Sequence, residues 1–429
     1  MPGDPVTANT RIAVIGLGYV GLPLAVALSQ HFKVIGYDVD GDRIAELANG
    51  HDRTGEVAEK VLNGASLDFL GGQDSLKPGA ANTYIITVPT PVDERNEPDL
   101  SNLLAACRGV GEVLAAGDLV VIESTVYPGV TADICAPAIE AASGLVWRRD
   151  FHLGYSPERI NPGDALHTLA GIVKVVAGDT AETAERVAAI YRTVCLAGVH
   201  VAPSIETAEA AKAIENAQRD INIAFANEVA MITGKLGLSV HDVLEAAGTK
   251  WNFLPFTPGF VGGHCISVDP FYLAYKAREV GHEPEIILAG RRINEAMGDY
   301  LAGRVDEALG RTGRILVLGL TFKENVPDLR NSKVADLIEG LKSRGHTVVV
   351  ADPMADPDEA KRLYGVSLVN PADGARGFDA VVGAVAHDAY RALSGAELEG
   401  LLADDGLVAD IKGMWRSLEL PKGIRRWAL

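Results

Sequence analysis

The sequence predicts an α/β protein in which two doubly wound, Rossmann-like domains are joined by a central helical region that mediates dimerisation. Strand-like and helical segments alternate over residues 11–155 and again from residue 314, as they do in doubly wound parallel sheets. Two long helical segments, residues 206–236 and 285–309, lie between these regions. At 429 residues the chain is also too long for one compact core.

The composition argues against several classes of protein. The chain carries 39 Lys and Arg against 57 Asp and Glu, and this net charge of -18 works against nonspecific binding to nucleic acid or anionic membranes. No apolar run reaches the roughly 18 residues of a membrane helix, and residues 1–5 lack a signal-peptide pattern, so we expect no membrane partner and a cytoplasmic protein. The cysteines lie far apart without a CxxC pair, so we expect neither a disulfide framework nor a metal site: Cys107, Cys135, Cys195 and Cys265.

The first strand is a short β-branched run, residues 11–15, that leads directly into a glycine motif and then an apolar helix at residues 22–31. The motif places Gly16, Gly18 and Gly21 in the spacing GxGxxG. Such glycines permit a tight turn and let a pyrophosphate approach the helix N-terminus, where free N–H groups favour negative charge. Taken alone, this motif is also compatible with a tight turn that binds nothing.

A carboxylate after the second strand supports the dinucleotide interpretation. The strand-like run at residues 33–37 ends in Asp38, about 20 residues after the glycines, where a carboxylate accepts both ribose hydroxyls of NAD. The same carboxylate would repel the extra phosphate of NADP. The sequence therefore predicts NAD as the cofactor.

Two threonines follow the next strand-like runs, residues 83–88 and 118–123. Ligands of doubly wound sheets bind outside the carboxyl ends of the strands, so we expect Thr90 and Thr125 to face the cofactor. The alternative is that both residues only cap their loops.

A carboxylate and a guanidinium stand between two prolines after the strand at residues 151–155. Glu158, held by rigid flanks, is a candidate general acid or base, and Arg159 is a candidate ligand for an anion. The alternative is an exposed ion pair in a turn.

The long helical segment at residues 206–236 carries three polar side chains on one face. Lys212, Asn216 and Arg219 follow i, i+4 and i+7 spacing, and largely apolar residues continue that face. A lysine on a half-buried face is a candidate for proton transfer. The alternative is an ordinary surface lysine whose stem lies along apolar surface.

A thiol follows paired glycines between the two long helices. Gly262 and Gly263 let the backbone approach a ligand closely, so Cys265 is a candidate nucleophile in the wall of a pocket, with His264 and Asp269 as polar neighbours. The alternative is a small buried residue in a glycine-rich turn.

The last part of the chain reads as a second nucleotide-fold-like domain without a GxGxxG motif. Strand-like runs occur at residues 315–318, 347–351, 380–384 and 407–410. Charged and amide side chains follow the first of them, and Lys323 and Arg330 there are candidates to clamp a diphosphate. The two long helices before this domain would suit a dimer interface.

Together these motifs resemble the nucleotide-sugar dehydrogenases that include UDP-glucose and GDP-mannose dehydrogenases. The resemblance extends from residue 11 to about residue 412 and involves several unrelated motifs in order. It implies an NAD-binding domain over residues 1–200, a central helical domain with the cysteine loop over residues 201–309, and a UDP-sugar-binding domain over residues 310–429. A homodimer or higher homo-oligomer is likewise implied.

The resemblance also implies roles for individual residues, with Cys265 as the nucleophile and Asp269 as its partner. The residues implied at NAD are Gly16, Gly18, Tyr19, Val20, Gly21, Asp38, Arg43, Thr90 and Thr125. The residues implied around the substrate are Glu158, Arg159, Ile160, Lys212, Asn216, Arg219, Gly263, Phe322, Lys323 and Arg330.

One local difference within the family points to a substrate class. UDP-glucose enzymes usually carry Phe-Pro-Lys-Asp after the nucleophile, whereas this chain has Ile266-Ser267-Val268-Asp269 and places His264 before Cys265. With the segment at residues 251–256, this pattern resembles the branch that acts on UDP-N-acetylhexosamines, including enzymes of Vi-antigen and O-antigen sugar synthesis.

The implied reaction is an NAD-dependent, four-electron oxidation of C6 of UDP-GlcNAc or UDP-GalNAc to the uronate. It proceeds through a thiohemiacetal and a thioester on Cys265. Lys212 and Asn216 would stabilise oxyanions, Asp269 and Thr125 would hold water or relay protons, and Glu158 would assist hydrolysis.

Other functions remain open at this point. UDP-glucose or UDP-ManNAc could be the substrate. A two-electron dehydrogenase of the 6-phosphogluconate type would share the first domain and the helices but needs no thiol. A non-catalytic NAD-binding regulator would form no NADH with any UDP-sugar.

Overall fold

The computed structural model describes residues 9–72, 76–159, 168–263, 266–370 and 375–429. Ile160, His264 and Cys265 lie outside the described residues, so the roles expected of them have no structural account. The chain forms two compact units. The first unit comprises Met1–Glu215 and Phe271–His282, and the second comprises Asn216–Pro270 and Glu283–Leu429.

The first unit contains an eight-stranded sheet in the order β3-β2-β1-β4-β5-β6-β7-β8. Its first six strands follow the order 3-2-1-4-5-6 of dinucleotide-binding folds. Neighbouring strands are parallel except β6 and β7, which are antiparallel. The strands are β1 Arg11–Ile15, β2 Lys33–Asp38, β3 Leu67–Gly71, β4 Thr83–Ile86, β5 Leu119–Ile122, β6 His152–Tyr155, β7 Lys174–Gly178 and β8 Val199–Val201.

Helices accompany the strands of the first unit, and apolar side chains from both pack into a core that includes Ile12, Val14 and Leu24. Asp40 and Thr180 cap the N-termini of α2 and α6 through side-chain hydrogen bonds. A π-helical turn, Thr131–Cys135, leads into α5. The helices are α1 Gly21–Leu28, α2 Gly41–Ala48, α3 Glu59–Asn63, α4 Ser101–Gly111, α5 Ala136–Ser143 and α6 Ala181–Arg192, with residues 205–215 of α7 Ile205–Leu236 and residues 271–279 of α9 Asp269–Glu279.

The second unit joins the rest of α7 to a parallel five-stranded sheet in the order β10-β9-β11-β12-β13. The strands are β9 Arg314–Leu318, β10 Thr347–Ala351, β11 Phe378–Gly383, β12 Leu402–Asp410 and β13 Arg425–Ala428. The helices are α8 Val240–Gly248, α10 Glu285–Leu309, α11 Val334–Ser343, α12 Pro357–Tyr364, α13 Asp388–Arg391 and α14 Gly395–Leu401.

Alternate residues of β9 enter cores on opposite faces of the second sheet. Ile315 and Val317 pack with α10 and α11, whereas Leu316 and Leu318 pack with Trp415 on the other face. This period of two is what a strand buried on both faces requires.

Each unit builds its first βα turn in the same way. Residues 11–17 and 314–320 both read Arg-Ile-x-Val-x-Gly-Leu, and Gly16 and Gly319 have φ of 96° and 101°. The carboxylate after the second strand, Asp38 or Asp352, accepts a hydrogen bond from the leucine N–H that follows that glycine, at 2.8 and 2.6 Å. The second unit therefore retains the turn of a nucleotide-binding fold although it lacks the glycine motif.

The structure confirms the predicted fold class of two Rossmann-like α/β regions with a central helical part. The predicted helix at residues 285–309 matches α10 at both ends, and α7 begins one residue earlier than predicted. The first helix ends at Leu28, three residues before the predicted end. The sequence predicted no strand between residues 155 and 206, so β7, β8 and the antiparallel pairing of β6 with β7 were not expected. Among the described residues, no helix is long and apolar enough to cross a membrane.

Candidate active site

The glycine turn after β1 offers a cradle for a pyrophosphate. A Cβ at Gly21 would lie 1.8 Å from the Gly16 carbonyl oxygen, so that glycine is needed for packing within the turn. A Cβ at Gly18 would meet no protein atom within 4 Å, so the exposed Gly18 leaves room for a ligand instead. The following helix α1 has no side-chain cap and no acidic residue in its first turn. These features fit the diphosphate of a bound dinucleotide.

Asp38 and Arg43 stabilise the glycine turn through hydrogen bonds to its backbone. Asp38 accepts hydrogen bonds from the backbone N–H groups of Leu17 and Asp40, at 2.8 and 2.9 Å. Arg43 is only 3% exposed, and its guanidinium donates to the Leu17 carbonyl at 2.9 and 3.0 Å and to Asp52 at 2.7 Å. Arg43 thus supports the turn that carries the half-buried side chains of Tyr19 and Val20.

Thr90 and Thr125 meet at the carboxyl ends of β4 and β5. The Thr90 hydroxyl donates to the backbone carbonyl of Thr125 at 2.7 Å. The Tyr272 hydroxyl donates to the Thr90 carbonyl, also at 2.7 Å. The structure therefore brings the two threonines together on the side of the sheet where ligands of this fold bind.

Glu158 and Lys212 are also brought together in the first unit. The Lys212 ammonium donates to the backbone carbonyl of Glu158, and this lysine is 5% exposed, which differs from an ordinary surface lysine. Glu158 accepts a hydrogen bond from the Arg159 N–H at 2.6 Å. The Arg159 guanidinium pairs with Glu215 at 2.6 Å and donates to the Val173 carbonyl at 2.7 Å. Arg159 is thus already engaged with protein groups.

In the second unit, Asn216 links a cation to a carboxylate. Its side-chain N–H donates to Asp269, and its side-chain oxygen accepts from Arg219. Asn216 and Asp269 are both buried. These two hydrogen bonds fix the orientation of the Asn216 side-chain amide.

The segments that flank residues 264–265 are held at three points. Asn227 receives the Gly259 N–H at 2.7 Å and donates to the Gly259 carbonyl at 3.1 Å. Asn331 donates to the Gly263 carbonyl and to the Ser267 hydroxyl, at 3.0 and 2.7 Å. A Cβ at Gly263 would lie 2.9 Å from the Phe322 ring, so only glycine lets this ring approach.

The loop after β9 carries the expected diphosphate ligands. Arg330 makes a two-pronged ion pair with Asp328, at 3.0 and 2.8 Å, which orients its guanidinium. The same loop is anchored by His387, whose Nδ1 accepts the Asn325 N–H at 3.0 Å and whose Nε2 lies 3.1 Å from Asp352. Burial alone would raise the pKa of Asp352, but hydrogen bonds from His387 and from loop N–H groups lower it to about 2.

Lys412 is a candidate ligand that the sequence analysis missed. It lines one pocket together with Phe260, Phe322, Lys323 and Lys333, and burial lowers its pKa. Lys412 follows the carboxyl end of β12, and the rule that ligands bind at strand carboxyl ends would have identified it. Asn227 and Asn331 were also missed, because their roles depend on contacts with residues distant in sequence.

Comparisons with known proteins agree with this arrangement. Three domain models of one family, the UDP-glucose/GDP-mannose dehydrogenase family, match in order: the NAD binding domain at residues 10–195, the central domain at residues 206–296 and the UDP binding domain at residues 316–417.

The chain is similar to named relatives over nearly its whole length. It is 51% identical to the protein CapL of Staphylococcus aureus, over 98% of this chain and 100% of the relative. It is 48% identical to a UDP-N-acetyl-D-glucosamine 6-dehydrogenase of Pseudomonas aeruginosa, over 94% and 97% of the two chains. The solved structure of a UDP-D-ManNAc dehydrogenase from Pyrococcus horikoshii superimposes with a TM-score of 0.85 at 31% identity, over 97% and 98% of the two chains. The chain therefore belongs to the UDP-glucose/GDP-mannose dehydrogenase family, as its motifs predicted, and is an NAD-dependent oxidoreductase.

Proposed function

We propose that this protein oxidises C6 of UDP-N-acetylglucosamine to the carboxylate, with NAD as the oxidant. The observation that carries the proposal is the 48% identity, over 94% of the chain, to an enzyme named for that reaction. The sequence Ile266-Ser267-Val268-Asp269, which differs from that of UDP-glucose enzymes, supports an N-acetylhexosamine substrate. UDP-N-acetylgalactosamine is the second candidate, as the sequence analysis left the epimer open.

The first unit supplies the cofactor site in this proposal. When bound, NAD accepts one hydride in each of two oxidations. The open side of Gly18 and the N-terminus of α1 would hold its diphosphate, and Asp38 would accept its ribose hydroxyls. Thr90 and Thr125, at the strand ends, would line the same site.

The nucleotide end of the substrate is assigned to the second unit. The family's UDP binding domain matches residues 316–417, which include Phe322, Lys323 and Arg330. Arg330 is oriented by Asp328, so little side-chain entropy would be lost when it binds a phosphate. This assignment accords with the proposed division into residues 1–200, 201–309 and 310–429.

The chemistry begins with an alcohol and ends with a carboxylate. The C6 hydroxyl loses a proton and C6 loses a hydride, which gives an aldehyde. The Cys265 sulfur then adds to the aldehyde carbon as the thiol proton passes to the carbonyl oxygen, and loss of the hydroxyl proton and a second hydride from this thiohemiacetal gives a thioester. Water attacks the thioester carbon, the C–S bond breaks, and the thiol and the carboxylate are released.

Each polar residue of the candidate site has a proposed role in these steps. Lys212 and Asn216 stabilise the oxyanions that form on the sugar oxygen. Asp269 and Thr125 hold water or relay protons, and Glu158 accepts the proton of the attacking water. The orientation of Asn216 by Asp269 supports its assignment as a donor.

We also propose that the active form is at least a homodimer in the cytoplasm. Large apolar side chains of the second unit are exposed in the single chain, including Trp251 at 92% and Ile286 at 70%. Surface of this kind is typical of an interface between subunits. Its position on and near α7, α8 and α10 agrees with a dimer built on the central helices.

The test is a screen of UDP-sugars for NADH formation. We expect UDP-N-acetylglucosamine to yield two NADH for each sugar oxidised, with the C6 carboxylate confirmed by mass spectrometry. Activity with UDP-glucose or UDP-N-acetylmannosamine alone would replace the substrate in this proposal. If no UDP-sugar produced NADH while NAD still bound, the protein would be a non-catalytic NAD-binding regulator.

A further inference from the structure

A buried group of charged side chains lies beneath Glu158 and has no role in the reaction described above. Lys174, the first residue of β7, and Glu123, which follows β5, are fully buried. Tyr191 of α6 is also fully buried beside them. Buried charges are costly unless they are paired, so their arrangement requires an explanation.

Lys174 lies between two carboxylates. Its Nζ is 3.2 Å from Oε1 of Glu123 and 3.8 Å from Oε2 of Glu158. The Tyr191 hydroxyl donates to the same oxygen of Glu123, and Lys174 Nζ lies 5.1 Å from the centre of the Tyr191 ring. One ammonium therefore serves two carboxylates, and the three groups sum to one negative charge when all are ionised.

The charge states of this group depend on one another. Burial raises the pKa of Glu123, which alone would favour its neutral form. Burial alone would lower the pKa of Lys174, but the charges of Glu123 and Glu158 raise it, so Lys174 remains an ammonium. Without this cation the buried Glu123 carboxylate and the half-buried Glu158 carboxylate would repel each other.

A gain in folding stability does not by itself explain why Lys174 and Glu123 form a buried ion pair. Replacing a buried ion pair with apolar side chains of similar volume is often neutral or stabilising. The Lys174 ammonium also approaches one carboxylate oxygen of Glu158. The other oxygen of that carboxylate accepts the Arg159 N–H, and the Glu158 carbonyl accepts a hydrogen bond from the Lys212 ammonium. Glu158 is therefore held through its side chain and its backbone at once.

We propose that Lys174 is a positioning residue that fixes the Glu158 carboxylate and places a positive charge beside it for hydrolysis of the thioester, and that Glu123 moderates this effect by sharing the ammonium. The inference rests on the proposed function, in which Glu158 accepts the proton of the attacking water. Lys174 acts only through Glu158 and is not itself assigned to any reacting atom.

Other charged groups also influence Glu158 and must be held constant in a test. Among the described residues, the charged or titratable groups that face or interact with it include Glu56, Glu123, Arg159, Lys174, Cys195 and Lys212. Of these, only Lys174 and Glu123 are changed in the experiment below.

The test compares Lys174→Met, Lys174→Arg, Glu123→Gln and the double variant Glu123→Gln with Lys174→Met. Reactions with NAD and UDP-N-acetylglucosamine are quenched in acid, and intact mass reports the acyl adduct on the protein. We expect Lys174→Met to accumulate this adduct because hydrolysis slows by about 10 to 100-fold, a fraction of what a general base contributes. Binding of UDP-sugar, measured by calorimetry, should change less than about threefold because Lys174 does not contact the substrate.

The pH dependence of hydrolysis separates positioning from a general loss of structure. In Lys174→Met, loss of the cation should shift the acid limb of the pH–rate profile for hydrolysis to higher pH. In Glu123→Gln the Lys174 ammonium pairs with the Glu158 carboxylate alone, so the acid limb should shift to lower pH. Lys174→Arg should retain most of the rate. The double variant removes both buried charges, so it should fold even if Lys174→Met does not, and it should still accumulate the adduct.

These results distinguish the inference from the proposed function. Wild-type protein that makes no NADH would contradict the proposed function before any variant is considered. If the wild type is active but neither Lys174→Met nor the double variant accumulates adduct, the positioning role is wrong. Glu123→Gln retains Lys174, so an unchanged acid limb of its pH–rate profile would also contradict the positioning role.

Discussion

The side-chain amide of Asn331 donates to both the carbonyl of Gly263 and the hydroxyl of Ser267, at 3.0 and 2.7 Å. The Ser267 hydroxyl in turn donates to the Gly263 carbonyl at 2.6 Å. These two residues flank positions 264–265, and Asn331 directly follows Arg330, a proposed ligand of the substrate diphosphate. One amide therefore ties the loop that carries Arg330 to the segment that carries the proposed nucleophile.

We expect Asn331→Asp to lower kcat by about 10 to 100-fold, because a carboxylate oxygen in place of the N–H would face the Gly263 carbonyl oxygen and repel it, and the bond that ties the two segments would be lost. Ser267→Ala is the matched control, since it retains the bond between Asn331 and Gly263. Steady-state kinetics measure both effects, and the affinity for NAD should not change in either variant. A larger loss in Ser267→Ala than in Asn331→Asp would contradict this account.

The cofactor prediction concerns Asp38. Its carboxylate would repel the extra phosphate of NADP, so we expect catalytic efficiency with NAD to exceed that with NADP by at least about a hundredfold. Because Asp38 also accepts the N–H groups of Leu17 and Asp40, Asp38→Ala should lower the melting temperature as well as NAD affinity. Asp38→Asn, which keeps one acceptor oxygen, should lose less of both. Equal efficiency with the two cofactors in the wild type would show that the assignment is wrong.

The sequence predicted those candidate residues that depend on local pattern. The glycine turn and Asp38 are separated by one helix, and strand ends and helical spacing made Thr90 and Lys212 candidates. The pairing of Lys174 with Glu123 could not be read in this way, because it joins two strands whose neighbours are set by the whole sheet. The same holds for His387, which reaches the loop after β9 from a segment more than sixty residues away. A lysine at the start of a strand gives no signal that it will be fully buried.

A buried carboxylate on α7 should make stability depend on pH. Glu209 is 0% exposed and accepts the N–H groups of Gly129 and Thr131, at 2.6 and 2.9 Å, and burial raises its pKa to about 7. The folded state therefore retains a proton that the unfolded chain releases near the ordinary value of 4.5. Its contribution to stability is complete below that value and is lost as the pH rises through 7.

Glu209→Gln, which does not titrate, should remove this part of the pH dependence. Urea unfolding between about pH 5 and pH 8 measures it, and the wild type should lose up to about 3 kcal/mol more than the variant over that range. Parallel stability profiles for the two proteins would mean that Glu209 stays ionised in the folded state.

The exposed apolar side chains on the central helices predict a dimer. Phe225 and Ile232 of α7 are seven residues apart on one face, and they are 59% and 53% exposed in the single chain. Replacing both with Glu should shift the protein to a monomer, since burying each side chain contributes about 1.5–3 kcal/mol. Light scattering at micromolar concentration measures the mass. Leu196→Glu, at an exposed apolar residue of the first unit, is the control and should leave the assembly intact.

The last prediction concerns Cys265, whose thiol is required only after the first oxidation in the proposed mechanism. Cys265→Ala should leave NAD and UDP-sugar affinity intact but stop the reaction at the aldehyde. Formation of the C6 carboxylate from UDP-N-acetylglucosamine should fall by at least about a thousandfold, as expected when a covalent catalyst is removed, and no more than one NADH should form for each sugar consumed. Oxidation of supplied UDP-sugar 6-aldehyde should fall with it. Cys265→Ser keeps a nucleophile that is much weaker near neutral pH, so any ester should form slowly and hydrolyse more slowly still.

Cys107→Ala is the matched control, because Cys107 is a fully buried thiol of α4 with no proposed part in the reaction. It should retain the two NADH per sugar of the wild type. Mass spectrometry of the quenched wild-type reaction should place the acyl group on the peptide that contains Cys265. Because the thioester requires that sulfur, two NADH per sugar at a near-normal rate from Cys265→Ala would make the residue a packing group and would refute the covalent mechanism.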